Sequence, residues 1–485
     1  MVNMFALSIG LALTLQPAFP PNRLYPLPST QPPSLLIQHA NVIDCVGDRA
    51  RNDLDVLIVD GRIKAIGKNL QANGATTLDA HGKFLIPGLW DMHVHGTAVP
   101  GFLGIYLANG VTGIRDMFDP SPATFKIRDA IKAGTVVGPH IVAAGKIVDG
   151  PKPIWPGSIA VADEKQGREA VATAIGQGSD FVKVYSLLPR DGYLAIADEC
   201  RKKGVVFCGH VPESVTAAEA SDAGQKSFEH LYGIMRGCSS NPKIIAYSFP
   251  FGVPSDAFHN ALKAVLATYD PKRASDLFAK LRKNGNWQCP TLTVLYSFSH
   301  PQTEHPEADA YYPYLPMWMK FIGPGLKKRF KDWTPEDLAL EDQLFQKDLQ
   351  LVHDMFKAHV PLLAGTDVMN PYCFPGFSLH DELAWFVKAG IKPIDVLKIA
   401  TVNPAIYFGT QKEFGTIEKG KVADLVLLDA DPLQNIDNAR KVDCVILGGK
   451  LLGRAELDKL MPKQTKVAAM PKNIPVGAFD DDYGF

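Results

Sequence analysis

The sequence predicts an α/β fold: a (β/α)8 TIM barrel with a small β-sandwich domain built from both chain ends. Three observations predict it. The middle of the chain alternates short apolar runs with helical stretches, the pattern of βαβ units. Both ends instead carry short strands separated by turn signals. The length, 485 residues, exceeds one ordinary domain but suits a large α/β barrel with an accessory unit.

Taken in order, residues 1–33 read as a signal peptide and a Pro-rich linker. Met4 to Leu15 is an apolar run of signal-core length, too short to span a bilayer, and it implies export. No Lys or Arg precedes it, the first being Arg23, and Gln16-Pro17-Ala18 is the nearest approach to a cleavage pattern. Pro17 to Pro33 cannot join a sheet. Residues 34–85 form the first part of the sandwich, with strands at 34–38, 55–59 and 62–66 and a hairpin turn at Asp60-Gly61. Residues 86–409 are the barrel, with strands expected at 85–95, 113–117, 140–144, 181–185, 205–210, 227–230, 288–294 and 362–367. Helices are expected at 168–177, 194–203 and 383–389, several ending at a glycine. Insertions 231–270 and 297–334 follow the sixth and seventh strands and are lid or specificity candidates. Residues 410–453 return to the sandwich, with strands at 423–428 and 442–450, and 454–485 are a C-terminal tail.

The composition is that of a globular enzyme, 46% hydrophobic and 21% charged. A net charge of −1 with no basic block suggests neither nucleic acid nor an anionic membrane surface. The seven cysteines are scattered with no CxxC pair, so neither a disulfide framework nor a cysteine zinc site is indicated. No stable membrane insertion is expected. A small-molecule substrate and self-association into a homo-oligomer are.

The chemistry gathers at strand ends. In "Trp90-Asp91-Met92-His93-Val94-His95-Gly96", alternation puts His93 and His95 on one face and sends Met92 and Val94 toward the helices. Two imidazoles on one face at a strand end can chelate a metal ion. The fourth strand, "Phe181-Val182-Lys183-Val184-Tyr185", places Phe181, Lys183 and Tyr185 together, so Lys183 points into the barrel, where an isolated ammonium costs several kcal/mol. "Cys208-Gly209-His210", "Phe228-Glu229-His230" and "Ala364-Gly365-Thr366-Asp367" each deliver one more metal-competent side chain. Five ligand-type groups and one interior lysine at the strand ends of one barrel are not a coincidence. Arg115-Asp116, on the second strand, reads as an internal ion pair.

These motifs, in this order, resemble the amidohydrolase superfamily, and most its imidazolonepropionase-like and prolidase-like members. The likeness runs from about Ser34 to Lys450, and it includes "Pro87-Gly88-Leu89-Trp90-Asp91-Met92-His93-Val94-His95", "Ser227-Phe228-Glu229-His230", "Ala364-Gly365-Thr366-Asp367" and "Gly415-Thr416-Ile417-Glu418-Lys419-Gly420-Lys421-Val422-Ala423-Asp424-Leu425". The resemblance implies two Zn2+ per chain: His93, His95 and Asp367 on one, His210 and His230 on the second. Lys183 would be carboxylated by CO2 and bridge the two, which turns a costly buried cation into an anion between cations. It implies hydrolysis of an amide-type C–N bond by a metal-bridging hydroxide, with Asp367 as general base and acid.

The sequence departs from the dipeptide-cleaving relatives in two places. Val184-Tyr185-Ser186-Leu187-Leu188 stands where those relatives carry a Gly-rich segment, and Pro212 where they carry His or Tyr. Their substrates therefore do not transfer. Tyr185 could hydrogen-bond a substrate carbonyl, Arg236 could clamp a carboxylate, and His380 could contact substrate. The aromatics of the two insertions, among them Tyr232, Phe249, Phe251, Tyr311 and Trp318, suit an apolar or aromatic acyl part, as in an N-acyl amino acid or a dipeptide. The alternatives are a lactonase or esterase on the same metal core, a non-catalytic binding protein on a retained barrel, and a mononuclear deaminase, against which Lys183 speaks.

Overall fold

Both chain ends meet in one mixed sheet. The computed structural model describes residues 34–241 and 255–462. The expected signal segment and linker, Phe249 and Phe251, and the end of the tail lie outside the described residues. Strand Leu35–Val42 pairs antiparallel with Arg51–Val59, which turns into Arg62–Gly67 through Asp60 (φ 53°) and Gly61 (φ 75°). Two successive left-handed residues are what a tight hairpin turn of the primed type requires. Leu35–Val42 also runs parallel to Thr76–Asp79 and Phe84–Pro87. From the other end, Leu425–Leu428 pairs antiparallel with Phe84–Pro87, then Val442–Leu447 and Lys450–Gly453 extend the same eight-stranded sheet. Ile37, Val56, Ile58, Leu85, Leu425, Leu427 and Ile446 bury one shared apolar core, so residues some 400 positions apart stabilise each other.

The strand expected at 85–95 is two strands. Phe84–Pro87 belongs to the mixed sheet, and after Gly88 the strand Leu89–Val94 starts a parallel sheet with Val111–Asp116 and His140–Ala143. Gly88 is forced at this corner, because a Cβ there would sit 2.1 Å from the Thr112 hydroxyl. A second parallel sheet orders Ile159–Ala160, Ile147–Asp149, Val182–Val184, Phe207–Gly209, Ser227–Glu229 and Trp287–Cys289. Segment 362–367 forms no regular strand, but its backbone bonds both sheets: Leu363 N to Gln288 O, Met92 N to Ala364 O and Asp367 N to His93 O, each 2.8 Å. On the other side, Asp180 N donates to Ala143 O at 2.9 Å.

Helices lie between the strands. Glu164–Gln177 is capped by the Asp163 carboxylate and stopped by left-handed Gly178; Arg190–Lys203 is stopped by Gly204. The expected strand 288–294 ends at Cys289, and a helix, Leu292–Ser299, begins instead. Its first free N–H groups, on Leu292 and Thr293, donate to the buried Glu382 carboxylate, a cap supplied from helix Phe377–Lys388 that no local pattern announces.

Candidate metal centre

Strand alternation delivers the expected cluster, with one exception. Val94, Val182 and Val184 pack in the core shared with the helices, while Phe181 joins an inner cluster with Trp90, Cys208 and Cys289. Met92 joins that inner cluster too, contrary to the expectation that it faces the helices. The register explains it: Asp91 to Val94 spans one residue more than the facing Ile114 to Asp116, so a bulge re-aims Met92 and His93.

His93, His95, His210 and His230 crowd together beside Asp367. Ring centroids lie 5.3 Å apart for His93 and His95, 4.6 Å for His93 and His230, and 4.8 Å for His210 and His230. Asp367 Oδ1 is 3.0 Å from His95 Nε2 and 3.3 Å from His93 Nε2; Oδ2 is 3.9 Å from His230 Nδ1. Close approach demands small residues. At Gly365 a Cβ would meet Cys289 Sγ at 2.5 Å and His93 Cβ at 2.7 Å; at Gly209 (φ 136°) it would meet the Val184 carbonyl and the Lys183 side chain. His230, Thr291 and Asp367 hold left-handed φ values of 61°, 51° and 58° at successive strand ends, strain of the kind that collects at functional sites.

Lys183 is 1% exposed and faces this cluster; among the described residues its ammonium forms no hydrogen bond or ion pair, only a 5.8 Å approach to the Tyr185 ring. Burial pushes its pKa below the usual lysine value, partly countered by the Glu229 charge. Burial likewise takes His210 and His230 well below the usual imidazole range, so both rings are neutral and carry a lone pair. Burial disfavours the Asp367 carboxylate, yet the imidazoles beside it more than offset that and hold it well below the usual range.

Each of three histidines is oriented at Nδ1 by a different partner. Glu229 Oε2 lies 2.9 Å from His93 Nδ1, Ser186 Oγ 2.8 Å from His210 Nδ1, and Thr291 Oγ1 2.6 Å from His230 Nδ1. The Thr291 hydroxyl also reaches the Pro290 carbonyl at 2.7 Å, and with its proton there it accepts from His230. These partners were not foreseen, though Glu229 and Asp91 stand within two residues of a candidate ligand and Ser186 within three. Asp91 pins segment 362–367 by accepting from Thr366 N and Thr366 Oγ1. Nor is Arg115 paired with Asp116. The two side chains leave opposite faces of one strand: Arg115 bonds Glu229, and Asp116 accepts from the Thr97 hydroxyl.

A metal ion fits these residues. His93 Nε2 is buried with no hydrogen-bond partner, an orphan that costs free energy unless something else fills it. His93, His230 and Asp367 bring ligand atoms within 4.8 Å of one another. Two imidazoles and a carboxylate are a donor set suited to Zn2+.

Around the cluster, the Tyr185 ring stacks on His210 with centroids 3.9 Å apart, and its oxygen accepts from Trp155 Nε1 at 2.7 Å. Tyr232 sets its ring against His210 and His230, 4.8 and 5.0 Å away. Two expected substrate contacts are engaged elsewhere. Arg236 donates to the backbone carbonyls of Glu213 (3.0 Å) and Val215, so its guanidinium fastens a loop. His380 donates to the Asn109 carbonyl at 3.0 Å, against the end of helix Phe102–Ala108. In the expected second insertion Tyr311 stacks on Phe377, and just before it Tyr296 meets Trp385 and Phe345, so these rings pack on helices.

The sequence pattern of the amidohydrolase family matches residues 84–452. Among curated relatives, ochratoxinase from Aspergillus niger is 23% identical over 434 residues, covering 76% of this chain and 75% of that one. Dihydroorotase from Pelotomaculum thermopropionicum is 47% identical over 68 residues, only 14% of this chain and 16% of the relative. Bottromycin amidohydrolase has a similar structure, with a TM-score of 0.71, 23% identity and coverage of 93% of this chain and 95% of that one. A Xaa-Pro dipeptidase with bound methionine in the active site gives 0.64, 19%, 87% and 100%.

Proposed function

The chain belongs to the amidohydrolase family, and on that premise we propose that it is a metal-dependent hydrolase cutting an amide-type C–N bond in a small molecule. In this reading the two parallel sheets and segment 362–367 form a (β/α)8 barrel, and the mixed sheet made by both chain ends is its β-sandwich. The observation that carries the proposal is the convergence of four imidazoles, one carboxylate and one buried lysine, with no hydrogen-bond partner for the lysine or for His93 Nε2 among the described residues.

His93, His95 and Asp367 would hold one divalent cation and His210 and His230 a second, with Zn2+ the ion that suits these donors. Bound there, the cations would supply Lewis acidity and an activated water. Lys183, driven toward its neutral form by burial, has the free amine that CO2 carboxylates, and the resulting anion would bridge the two sites. Asp367 takes up the proton released during attack and returns it to the leaving nitrogen. Tyr185 receives the Trp155 N–H on its oxygen, so its own O–H remains to be donated to the substrate carbonyl. The relatives named as ochratoxinase, bottromycin amidohydrolase and Xaa-Pro dipeptidase favour an N-acyl amino acid, a dipeptide or a related amide.

The test joins metal analysis of the purified protein to a hydrolysis panel of dipeptides, N-acyl amino acids and lactones. About two zinc per chain with turnover of amides is expected. Turnover of lactones alone would replace the amidase with a lactonase, one metal would point to a deaminase-type centre, and no metal would refute the reading.

A further inference from the structure

A fully buried polar chain runs from His93 away from the cluster, and nothing in the reaction described above uses it. Glu229 presents Oε2 to His93 Nδ1 at 2.9 Å. Arg115 Nη2 donates to both Glu229 oxygens, each at 2.9 Å, and the Ser227 hydroxyl donates to Oε1 at 2.6 Å. Arg115 is itself held at every nitrogen: Nε on the Met92 carbonyl at 2.5 Å, and Nη1 on Ser227 Oγ at 2.8 Å and Tyr407 Oη at 2.9 Å. All of His93, Arg115, Ser227 and Glu229 are 0% exposed.

This arrangement leaves one assignment of hydrogens. Both Glu229 oxygens already accept from a guanidinium, and Arg115 can only donate, so the carboxylate has no proton to offer His93. The bond to His93 must run from Nδ1–H to Oε2. In the neutral ring the lone pair is thereby left on Nε2, the atom 3.3 Å from Asp367 Oδ1 that has no hydrogen-bond partner among the described residues. Glu229 could instead be taken for a ligand, because its oxygens, His93 and Cys289 also lie within 4.8 Å of one another. Arg115 argues against that, since a cation there would have to displace the guanidinium nitrogen bonded to both oxygens.

We infer that Glu229, clamped by Arg115, is a positioning residue that fixes the tautomer of His93 and so aims the Nε2 lone pair into the metal site. It touches neither substrate nor metal. The inference rests on the metal reading above only for what the lone pair is used for; the tautomer stands on the hydrogen bonds alone.

Glu229→Gln inverts the logic without changing shape. With its amide oxygen kept on Arg115 and Ser227, its NH2 group faces His93 Nδ1, which must then accept and carry its proton on Nε2. Titration of the chelator-stripped full chain with Zn2+ against a chromophoric chelator should show affinity reduced on the order of 10- to 100-fold in Glu229→Gln. Ser227→Ala, which removes one hydroxyl donor and leaves the Glu229–His93 bond, should stay close to wild type. Because Glu229→Gln could fail to fold around Arg115, the wild-type tautomer is read directly from imidazole 15N shifts of the histidine-labelled, metal-free protein, with His93 assigned by its loss in His93→Gln. A proton on Nδ1 is expected. A proton on Nε2, or a folded Glu229→Gln protein of unchanged Zn2+ affinity, overturns the inference. A wild type that takes up no Zn2+ would refute the metal reading, while the 15N shifts would still decide the tautomer.

Discussion

Replacing Lys183 by methionine should have an effect on stability that depends on whether metal is present. In the metal-free protein the ammonium is 1% exposed and has no hydrogen bond or ion pair among the described residues. Taking one ammonium out of water without a partner costs several kcal/mol, a cost the methionine side chain does not carry. In chelator, Lys183→Met should therefore melt above wild type. The sign with pH follows from burial having lowered the pKa. Between the folded value and the ordinary lysine value the unfolded chain holds a proton that the folded one lacks, so wild-type stability rises with pH through that window. The advantage of Lys183→Met should fade correspondingly as pH approaches the ordinary lysine range. With excess Zn2+ that advantage should shrink, and invert wherever the lost binding exceeds it. Binding stabilises by RT ln(1 + [L]/Kd), so a 100-fold loss of affinity on removing the bridge forfeits about 2.7 kcal/mol. The assay is thermal unfolding with and without chelator, together with metal content. A Lys183→Met protein that is less stable than wild type in chelator, or that gains as much from Zn2+, would refute the argument from burial. If Lys183 carries the proposed carbamate, short carboxylic acids added to Lys183→Ala should partly restore turnover by standing in for it.

Asp367→Asn can still ligate through oxygen but cannot carry a proton, so metal should be largely retained while kcat falls by about 10²- to 10⁴-fold; an unchanged kcat in metal-replete protein would remove Asp367 as proton carrier. Tyr185→Phe and Trp155→Phe should each lower kcat/KM by roughly 3- to 10-fold, the worth of one hydrogen bond. Because Trp155 acts through the phenol, the double substitution should cost no more than Tyr185→Phe alone, and additive losses would separate the two residues. Asp348 is pushed up to about 8 by burial, with Glu341 adding to it. The folded protein thus binds a proton there that the unfolded chain does not, and stability falls as pH rises from about 4 to 8. Asp348→Asn has no such group to titrate, so its stabilisation over wild type should grow by about 2–4 kcal/mol between pH 5 and pH 8; parallel pH profiles would count against a buried neutral Asp348.

Much of the cluster was legible because period-two alternation is a strong geometric rule. It places Lys183 and Phe181 on one face and Val182 and Val184 on the other, as the packing bears out. The helix stops at Gly178 and Gly204 were legible for a similar reason, left-handed backbone being cheap for glycine. Met92 was misread because a bulge breaks the alternation, and nothing in six residues of sequence says that the facing strand is one residue shorter. The loop contacts of Arg236 were not legible, because its partners are backbone carbonyls, which every residue carries and no motif marks. The Arg115–Asp116 reading failed on the alternation rule itself: neighbours on a strand cannot meet. The same rule would have sent Arg115 to a different strand for its counter-charge, and Glu229 was the acid already standing beside a ligand.

What alternation could not supply is the way the strands end. His230, Thr291 and Asp367 leave the extended region for positive φ at the point where their side chains matter, and such residues persist only where surroundings over-determine them. Here the surroundings are distant in sequence. The His230 N–H is tied to the Cys289 carbonyl at 3.0 Å, the Asp367 N–H to the His93 carbonyl at 2.8 Å, and Thr366 to the Asp91 carboxylate. Each tie joins one strand end to a neighbour that carries, or stands next to, another candidate ligand. These ties between strand ends therefore also set the spacing of the candidate metal site, and substitutions that loosen them should lower metal affinity even when no candidate ligand is touched. Asp91→Asn is the sharpest case, because its carboxylate holds Thr366, one residue before Asp367, by two hydrogen bonds and touches no other candidate ligand's side chain.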